Sequence, residues 1–481
     1  MAYLLAGAAG LFYLLYKGKR EAGDRSLQRK ILKEYQDLFD VSTQRLRDVQ
    51  RDLILQVEAG LRGDKSGLLM LPTFVDILPT GDEQGDYYAI DLGGTNLRVL
   101  HTRLGPGKGE GEEQDIREWP IPKECFNTDS GKLLEFVADC VEEMLVEHPP
   151  ASGALPVLGF CFSFGFNQTA LNNGVLVRWT KGFYGKGLIG EDIVGALQCV
   201  FRARGRAVEI PAILNDTVAT LIALRYAEPA TQLGIILGTG TNAAYQERID
   251  RIKTLDPGFK GRSEHMVVNT EWGDFFAASL PVCEEDDWVD AASVNPGRGR
   301  LEKLVSGLYM GEIVRRALAR LGQHAGLFGR AAALPAALLT PGSLGSAAVA
   351  AMDEDKSADL AAAGAALATL GVARPTRRQR RVARALARLA ALRSARLSAA
   401  ALCALLRHLG WDERSRVVAA MDGSVFCRYA GYRAMMRDTL ERLLGREAAA
   451  ALELREARDG SVRGAAYLAA AASRYDHAPR A

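Results

Sequence analysis

Alternating apolar and polar positions predict a strand hairpin with a glycine tip at two places in the chain. In the first, strand-forming residues run into Asp91, a GGTN turn covers residues 93–96, and residues 97–100 form the returning strand. In the second, the apolar strand 233–237 leads into a GTGTN turn at residues 238–242 and a return strand. Glycine tips let backbone N–H groups approach an anion closely, so both turns are candidate phosphate sites.

The repetition of this pattern suggests two related halves that face one cleft and hold phosphates from both sides. Thr95 and Asn96 add side-chain donors to the first turn. Asp91, at a strand end, is placed to hold Mg²⁺ through water rather than to touch phosphate itself. Together these features favour a nucleoside triphosphate as the ligand.

Polar side chains follow the predicted strands between the two hairpins. The buried strand 158–162 ends at Ser163, and an extended piece further on presents Thr180 and Lys181. These positions are candidates for contacts to a polar ligand.

Carboxylates occur at the ends of later strands. Asn215 and Asp216 follow a short strand and precede a helix, which places Asp216 between the two hairpins, where the halves should hinge. The common alternative for such an aspartate is a helix N-cap. Glu271 ends another strand, and Glu302 precedes a helix, so both join the candidate set.

Helical spacing of apolar residues predicts amphipathic helices at residues 25–61 and 133–146. The stretch 323–390 is rich in Ala, Arg, Leu and Gly and is the least informative. Its basic run at 377–381 continues into an amphipathic helix, which favours a solvated basic face over a nuclear-localisation signal. A strand at 417–421 ends in a turn that could admit a base or a ribose.

Composition limits the class of protein. With 481 residues, the chain exceeds what one core usually supports, so two lobes are expected. A charged content of 25% and a net charge of +2 indicate a globular protein with no general attraction for nucleic acid. Its seven cysteines are scattered and include no CxxC pair, which favours reduced thiols over a disulfide framework or a zinc site.

The N-terminal stretch MAYLLAGAAGLFYLLY is uncharged and apolar, and Lys17, Lys19 and Arg20 follow at once. As a helix it would reach about 24 Å at ~1.5 Å per residue, which is shorter than the roughly 30 Å hydrocarbon core of a bilayer. It could still span the core if the flanking cations extend their side chains to the lipid headgroups. It predicts a membrane anchor that leaves the rest of the chain in the cytosol. A cleaved secretory signal and a plastid transit peptide are the alternatives.

Six motifs carry a family resemblance. They are DLGGTNLR from Asp91, WTKGF from Trp179, LNDTVAT from Leu214, LGTGTNA from Leu237, NTEWG from Asn269 and SGLYMGEIVRR from Ser306. In this order and spacing they resemble hexokinases, closely the plant and green-algal type with an N-terminal membrane anchor. The resemblance is strong from about residue 25 to 320 and again from Arg393 onward, and weak in between.

The resemblance implies an α/β protein with the two-lobed actin-like ATPase (ribonuclease H-like) fold, in which each lobe has a central mixed sheet. The expected divisions are an N-terminal membrane anchor at 1–20, a helical part of the large lobe at 21–72, the small lobe at 73–214, the large lobe at 215–462, and a C-terminal helix at 463–481 that returns to the small lobe.

The resemblance also implies roles for individual residues. The implied sugar contacts, whose amides, hydroxyls and carboxylates suit the donors and acceptors of a hexose, are Ser163, Thr180, Lys181, Asn215, Asp216, Asn242, Glu271 and Glu302. The implied nucleotide contacts are Asp91, Gly93, Gly94, Thr95, Asn96 and Arg98, then Gly238, Thr239, Gly240 and Thr241, then Asp422, Gly423 and Ser424. No direct metal ligand is implied, since Mg²⁺ arrives with ATP.

The implied activity is that of an ATP:D-hexose 6-phosphotransferase at the entry to glycolysis. The γ-phosphoryl group of Mg·ATP would move in line to the 6-hydroxyl of D-glucose, and also of fructose and mannose, with Asp216 as general base and Lys181 offsetting developing charge. The alternative is a glucose-binding sensor with little or no catalysis. Intact Asp216, Lys181 and glycine turns favour the enzyme.

The implied partners are a hexose, ATP and a membrane, with no nucleic acid, and the protein is expected to be a monomer. Its expected location is the cytosolic face of the mitochondrial outer membrane, with the plastid or the soluble cytosol as alternatives.

Three departures from the family pattern carry expectations. Gly165 replaces the usual proline, which predicts a looser loop. Arg298 and Arg300 replace a Gln-rich continuation and would draw Glu302 away from the sugar. The adenosine region is altered, so that Thr340 and Ser343 are only candidate nucleotide ligands.

Overall fold

Two mixed β-sheets, each with antiparallel strands on one side and parallel strands on the other, form the centre of the fold. The computed structural model describes residues 22–105, 113–127, 131–185, 187–329 and 333–476. The strands are β1 Leu71–Pro72, β2 Gly85–Leu92, β3 Asn96–Leu104, β4 Glu113–Pro120, β5 Val157–Phe162, β6 Gly165–Ala170, β7 Asn173–Arg178, β8 Glu209–Leu214, β9 Thr231–Leu237, β10 Thr241–Arg248, β11 His265–Asn269, β12 Val417–Asp422 and β13 Leu452–Glu456.

The first sheet has the order β4-β3-β2-β5-β8, and the second has β1-β11-β10-β9-β12-β13. In both, an antiparallel meander leads to a hairpin strand, β2 or β9. This strand pairs in parallel with β5 or β12, which in turn pairs in parallel with β8 or β13. We call the part built on the first sheet the small lobe and the part built on the second the large lobe. Both predicted glycine-tipped hairpins are confirmed.

The helices cover the faces of these sheets. They are α1 22–39, α2 Thr43–Arg62, α3 Glu124–Asn127, α4 Gly131–Glu147, α5 Ile193–Ala203, α6 Asp216–Ala227, α7 Glu284–Ala291, α8 Arg300–Val305, α9 Gly307–Ala325, α10 Ala336–Leu339, α11 Ser346–Glu354, α12 Ala361–Thr369, α13 Arg377–His408, α14 Ser424–Arg428, α15 Ala430–Leu444, α16 Arg446–Ala451 and α17 Gly460–Asp476. The predicted helices at 25–61 and 133–146 correspond to α1, α2 and α4.

Two helices tie the lobes together by crossing from one sheet to the other. Helix α6 follows β8 of the small lobe but packs on β9, where a Cβ at Gly234 would lie 2.5 Å from the Thr217 carbonyl oxygen. Helix α17 follows β13 of the large lobe but packs on β5, where a Cβ at Gly159 would lie 1.9 Å from the carbonyl oxygen of Ala465. Each helix therefore needs a glycine on the strand that it covers.

The two crossing helices also touch each other. A Cβ at Gly464 of α17 would lie 1.9 Å from the carbonyl oxygen of Ala219 on α6. Tyr226 and Tyr467 stack near this contact with ring centroids 4.1 Å apart. The backbone approach fixes the position of one helix relative to the other, and with it the first turns of both.

The large lobe is built around α13. Among the described residues it is the one helix that is long and apolar enough to cross a membrane by length and composition, but 89% of its apolar stretch is buried. Arg393 lies inside this core and donates to Asp286 over 2.6 and 2.8 Å, with its guanidinium 3.9 Å from the Phe39 ring centroid. The helix is therefore a core element. The predicted N-terminal anchor at 1–20 lies outside the described residues.

Substitution Gly464→Ala should destabilise the protein by about 3 kcal/mol or more, because the added methyl overlaps the backbone of α6 and neither helix can retreat from its sheet. Denaturant unfolding checks this. Gly23→Ala is the control, since Gly23 is exposed in α1 and a methyl added there would have nothing within 4 Å. Equal free energies of unfolding for the two variants would contradict the close contact between α6 and α17 at Gly464.

Candidate active site

The first glycine turn joins β2 to β3 and lies beside the ends of two parallel strands. The Gly93 N–H donates to the Asn96 carbonyl over 3.1 Å, which closes the tip. Asp91 pairs in register with Cys161 of β5, and Cys161 pairs with Leu214 of β8. The carboxyl ends of these three strands therefore bring the turn next to the start of α6.

Asp91 is buried and held by the opposite lobe's helix. Its Oδ2 accepts from Arg98 Nη2 over 2.6 Å, from Arg98 Nε over 3.1 Å and from Ser461 Oγ over 2.8 Å. Arg98 also donates to Asp459 over 3.1 Å. Three bonds converge on one oxygen, so Arg98 of β3 and Ser461 in the first turn of α17 together fix the orientation of the carboxylate.

Other side chains of the first turn support the hairpin itself. Asn96 Nδ2 donates to Glu118 of β4, and the Thr95 carbonyl accepts from the Ile121 N–H over 2.9 Å. In this structure the Arg98 guanidinium donates hydrogen bonds to the carboxylates of Asp91 and Asp459. The predicted nucleotide roles of these turn residues therefore stay predictions, and Gly93 and Gly94 form a half-buried tip.

The second glycine turn joins β9 to β10 and is enclosed by backbone from two other segments. Gly238 N–H donates to the Gly240 carbonyl over 3.0 Å, and the Gly238 carbonyl accepts from the Gly307 N–H over 2.8 Å. The Thr239 carbonyl accepts from the Leu308 N–H over 3.2 Å. The start of α9 is thereby tied to the turn.

Gly423 brings the predicted adenosine motif onto this same turn. Its φ is +101°, and a Cβ here would lie 2.4 Å from the carbonyl carbon and oxygen of Leu237. A Cβ at Gly238 would in turn lie 3.1 Å from the Gly423 Cα. Asp422 and Ser424 are therefore adjacent to the second turn, and their nucleotide roles stay predictions.

Two of the predicted sugar contacts of the large lobe, Asn242 and Glu271, form one hydrogen-bonded group with Asn269. Asn242 Nδ2 donates to Asn269 Oδ1 over 2.8 Å and to Glu271 Oε1 over 2.9 Å, and Asn269 Nδ2 donates to the same Glu271 oxygen over 2.8 Å. Glu302 Oε2 accepts from the Thr241 N–H over 3.1 Å. Glu271 has a φ of +52°, a conformation uncommon for a side chain other than glycine.

Several buried carboxyl groups lie close together in this part of the site. Burial raises the pKa of Glu271, and the nearby carboxylates of Asp216, Asp274 and Glu302 raise it further. Burial likewise raises the pKa of Glu302, against which Lys181 acts in the opposite direction. Burial also raises the pKa of Asp422, with Asp216 and Asp91 adding to the effect. Asp216 is thus within electrostatic range of both the sugar and the nucleotide candidates.

Asp216 is the first residue of α6 rather than its N-cap. The cap is Asn215, whose Oδ1 accepts from the Val218 N–H over 2.9 Å. Asp216 Oδ1 accepts from the hydroxyl of Thr217 over 3.1 Å. The N-cap alternative for Asp216 is therefore wrong, and capping uses the amide that was predicted to contact sugar.

Lys181 lies at the small-lobe side of the cleft. Its φ is +56°, and a Cβ at Gly94 would lie 2.8 Å from the Lys181 Cδ, so the side chain runs along the first glycine turn. Its Nζ lies 5.6 Å from the centroid of the Phe164 ring. The carbonyl of neighbouring Thr180 accepts from the Phe183 N–H over 3.1 Å, and the Ser163 N–H donates to the Leu92 carbonyl over 3.3 Å.

The family departures have structural outcomes. Gly165 begins β6 and pairs with Arg178, so it belongs to a strand rather than a free loop. Arg300 pairs with Asp287 over 2.7 Å and with Asp290 over 3.2 Å, while Glu302 stays on the second turn. The expectation that Arg300 draws Glu302 away is therefore wrong.

The hydroxyls of the two candidate nucleotide ligands in the altered region donate hydrogen bonds to nearby backbone carbonyls. Thr340 Oγ1 donates to the Ala336 carbonyl over 2.9 Å, and Ser343 Oγ donates to the Ala337 carbonyl over 2.7 Å. Both hydroxyls stabilise their own turn, and their nucleotide roles stay predictions.

Sequence reasoning missed four participants. Ser461 donates to Asp91, and Asn269 donates to Glu271. Cys161 lies between Asp91 and Asp216. The Gly307 N–H donates to the second glycine turn. Burial and then the charges of Asp91 and Asp216 raise the pKa of Cys161 well above its ordinary value. The NTEWG motif contained Asn269, so that signal was present, but the pairing of Ser461 with Asp91 has no local signal.

Comparison with known proteins identifies the family. Two family models, both described as hexokinase, match residues 31–226 and 232–471. A spinach protein named Hexokinase-1 is 39% identical over 456 residues, covering 92% of this chain and 91% of the relative. The chain belongs to the hexokinase family. It is a hexose kinase whose substrates are a hexose and ATP.

Hexokinase relatives share the fold as well as the sequence. The structure of a Schistosoma mansoni hexokinase complexed with glucose superposes with a TM-score of 0.81 at 31% identity, covering 93% of this chain and 99% of that one. This confirms the two-lobed actin-like ATPase fold. A tobacco protein named Hexokinase-2, chloroplastic, is 37% identical over 442 residues, covering 90% of this chain and 88% of the relative.

Substitution Gly423→Ala should raise the KM for ATP by about tenfold or more, because the methyl displaces Leu237 and the second glycine turn. Steady-state kinetics with varied ATP check this. Gly410→Ala is the matched control, since Gly410 also has a positive φ, of +65°, but a methyl there would have nothing within 4 Å. An unchanged KM in the Gly423 variant would separate this glycine from nucleotide binding.

Proposed function

We propose that this hexokinase transfers the γ-phosphoryl group of Mg·ATP to the 6-hydroxyl of D-glucose, and also of fructose and mannose, with Asp216 as the general base. The observation that carries this is the position of Asp216 in the first turn of α6, within electrostatic range of Cys161, Glu271 and Asp422. A base at this point lies between the two glycine turns.

The group around Glu271 suits a sugar. Two amides orient one carboxylate oxygen, and the other is available to accept from a hydroxyl. Asn242 supplies an amide beside it, and Glu302 adds a second carboxylate. Ser163, Thr180 and Lys181 would complete the sugar contacts from the small lobe.

Asp216 would take the proton of the sugar hydroxyl as that oxygen attacks phosphorus. The Lys181 ammonium, placed along the first glycine turn, would offset negative charge on the transferred group. Closing the lobes would exclude water, which competes as an acceptor. The sugar oxygen would form a bond to the γ-phosphorus while the bond from that phosphorus to the β,γ-bridging oxygen breaks, so that ADP leaves and Asp216 holds the proton.

The donor set around Asp91 fits a hydrated Mg²⁺ bound with ATP. All three hydrogen bonds from Arg98 and Ser461 fall on Oδ2, which leaves Oδ1 to accept from a metal-bound water. When bound, the ion would neutralise charge on the phosphates. Asp91 would orient it without direct ligation.

The domain divisions and the cellular location are also proposals. The divisions are an anchor at 1–20, a helical part at 21–72, the small lobe at 73–214, the large lobe at 215–462, and the returning helix at 463–481. The protein acts as a monomer, since its two lobes already complete the cleft. The anchor would hold it on the cytosolic face of the mitochondrial outer membrane. The chloroplastic tobacco relative supports the plastid as the alternative.

Substitution Asp216→Asn should lower kcat by about 10²- to 10⁴-fold with little change in glucose binding, because the amide keeps the shape but cannot take a proton. Glucose-dependent ADP formation and glucose titration check this. Asp422→Asn is the matched control and should change the KM for ATP more than kcat. Glucose binding by the parent protein without formation of glucose 6-phosphate would instead favour a sensor.

Glucose affinity should rise with pH above the ordinary glutamate pKa of 4.5 and then level off. The raised pKa values of Glu271 and Glu302 mean that the free protein holds these protons to higher pH. Sugar hydroxyls that donate to the carboxylates favour the ionised forms, so binding releases protons.

Calorimetry in buffers of different ionisation enthalpy measures this proton release. Glu271→Gln keeps the acceptor for both amides but removes one titrating group, so its pH dependence should be flatter. Proton uptake on binding would contradict the assignment.

A further inference from the structure

Four arginines form a stripe along the N-terminal half of α13. Arg377, Arg381, Arg384 and Arg388 recur every three or four residues, which places them on one helix face over about 16 Å at ~1.5 Å per residue. They line a cavity of about 510 Å³ whose other walls are Ser357, Ala358, Leu360 and Ala385. We call these four residues the arginine stripe.

The stripe has more positive charge than its surroundings neutralise. Arg377 and Arg381 are exposed and form no ion pair with any residue that the structure describes. Arg388 lies 3.3 Å from Asp353 but keeps 63% of its side chain exposed. Arg384 donates to the Asp353 carbonyl over 3.4 Å. The Asp353 carboxylate therefore pairs with Arg388 alone, and the other nearby carboxylate, Asp359, pairs with Arg380 rather than with the stripe.

Positive charge extends from the stripe to helix α1. Arg378 donates to Gln28 of α1, and its pKa is lowered by burial and then by Arg25 and Arg29 on the same helix. The net charge of the whole chain is only +2, so this concentration is local.

The stripe is separate from the active site. Helix α11 joins the two regions: Asp353, near its end, contacts the stripe, whereas Ser346, at its start, lies beside the α9 residue that binds the second glycine turn. None of the predicted sugar or nucleotide residues lines the cavity. An anion in this cavity would therefore bind without entering the cleft.

We propose that the arginine stripe is a binding site for clustered phosphates. Guanidinium groups bind phosphate through paired N–H donors, and an array this long matches several phosphates better than one. The phosphates could belong to a polyphosphorylated small molecule or to an anionic lipid headgroup, since both present the same chemistry.

The test compares full-length protein with the double variant Arg377→Gln/Arg381→Gln, which removes the two unpaired cations. Inositol hexakisphosphate is the soluble probe, titrated by calorimetry with glucose and Mg·ADP present to occupy the cleft. Phosphatidylcholine vesicles with and without phosphatidylinositol 4-phosphate form the second arm. The control variant Arg414→Gln/Arg442→Gln removes two exposed arginines elsewhere on the large lobe.

The stripe variant should bind the soluble probe, or the increment due to phosphatidylinositol 4-phosphate, about tenfold or more weakly, while the control variant behaves as the parent. Loss in the soluble arm alone assigns a small molecule, and loss confined to the vesicle arm assigns a lipid headgroup. If both double variants bind equally in both arms, or the parent binds neither probe, the site does not exist. Unchanged glucose phosphorylation in the stripe variant shows that it is folded.

Discussion

The close crossing of α6 and α17 is the constraint on which the active site depends. Each helix starts in one lobe, covers the sheet of the other, and meets its partner where Gly464 faces the Ala219 backbone. The first turns at either side carry Asp216 and Ser461. Because Ser461 orients Asp91, the same crossing sets both the proposed base and the carboxylate proposed to orient Mg²⁺.

The site also carries an electrostatic cost. Burial raises the pKa of Glu271, Glu302 and Asp422, so each carboxyl binds its proton more tightly in the folded than in the unfolded chain. Such groups favour folding most below their unfolded pKa, and this contribution is lost as pH rises through the folded pKa. At neutral pH the cleft is therefore less stable than a neutral one would be, and hexose hydroxyls that donate to these carboxylates would offset part of the cost.

Local patterns predicted much of this arrangement. Both hairpins, the strand before Asn215 and the turn at Gly423 follow from apolar runs that end in glycine or polar residues. The sequence alone left Asp216 open as an N-cap, because Asn and Asp can both cap a helix and only geometry shows that Asn215 does so.

Long-range contacts were not predictable. Ser461 reaches Asp91 across 370 positions, and Gly307 meets the second turn through backbone atoms that leave no side-chain signal. The Ala-rich stretch predicted little beyond the amphipathic helix at its basic end, because its other helices, α11 and α12, are buried by packing against α13. The sequence repeat predicted two related halves. Only the structure shows that the parallel strands occupy equivalent places in the two sheets, as β2-β5-β8 in the first and β9-β12-β13 in the second.

The role of Asp216 as the base is tested most directly by a crystal structure with glucose, Mg²⁺ and a non-hydrolysable ATP analogue. We expect an Asp216 carboxylate oxygen about 2.6–3.2 Å from the sugar 6-oxygen, with the phosphates between the two glycine turns. A 6-hydroxyl bound by another residue, with Asp216 turned away from it, would contradict the central claim.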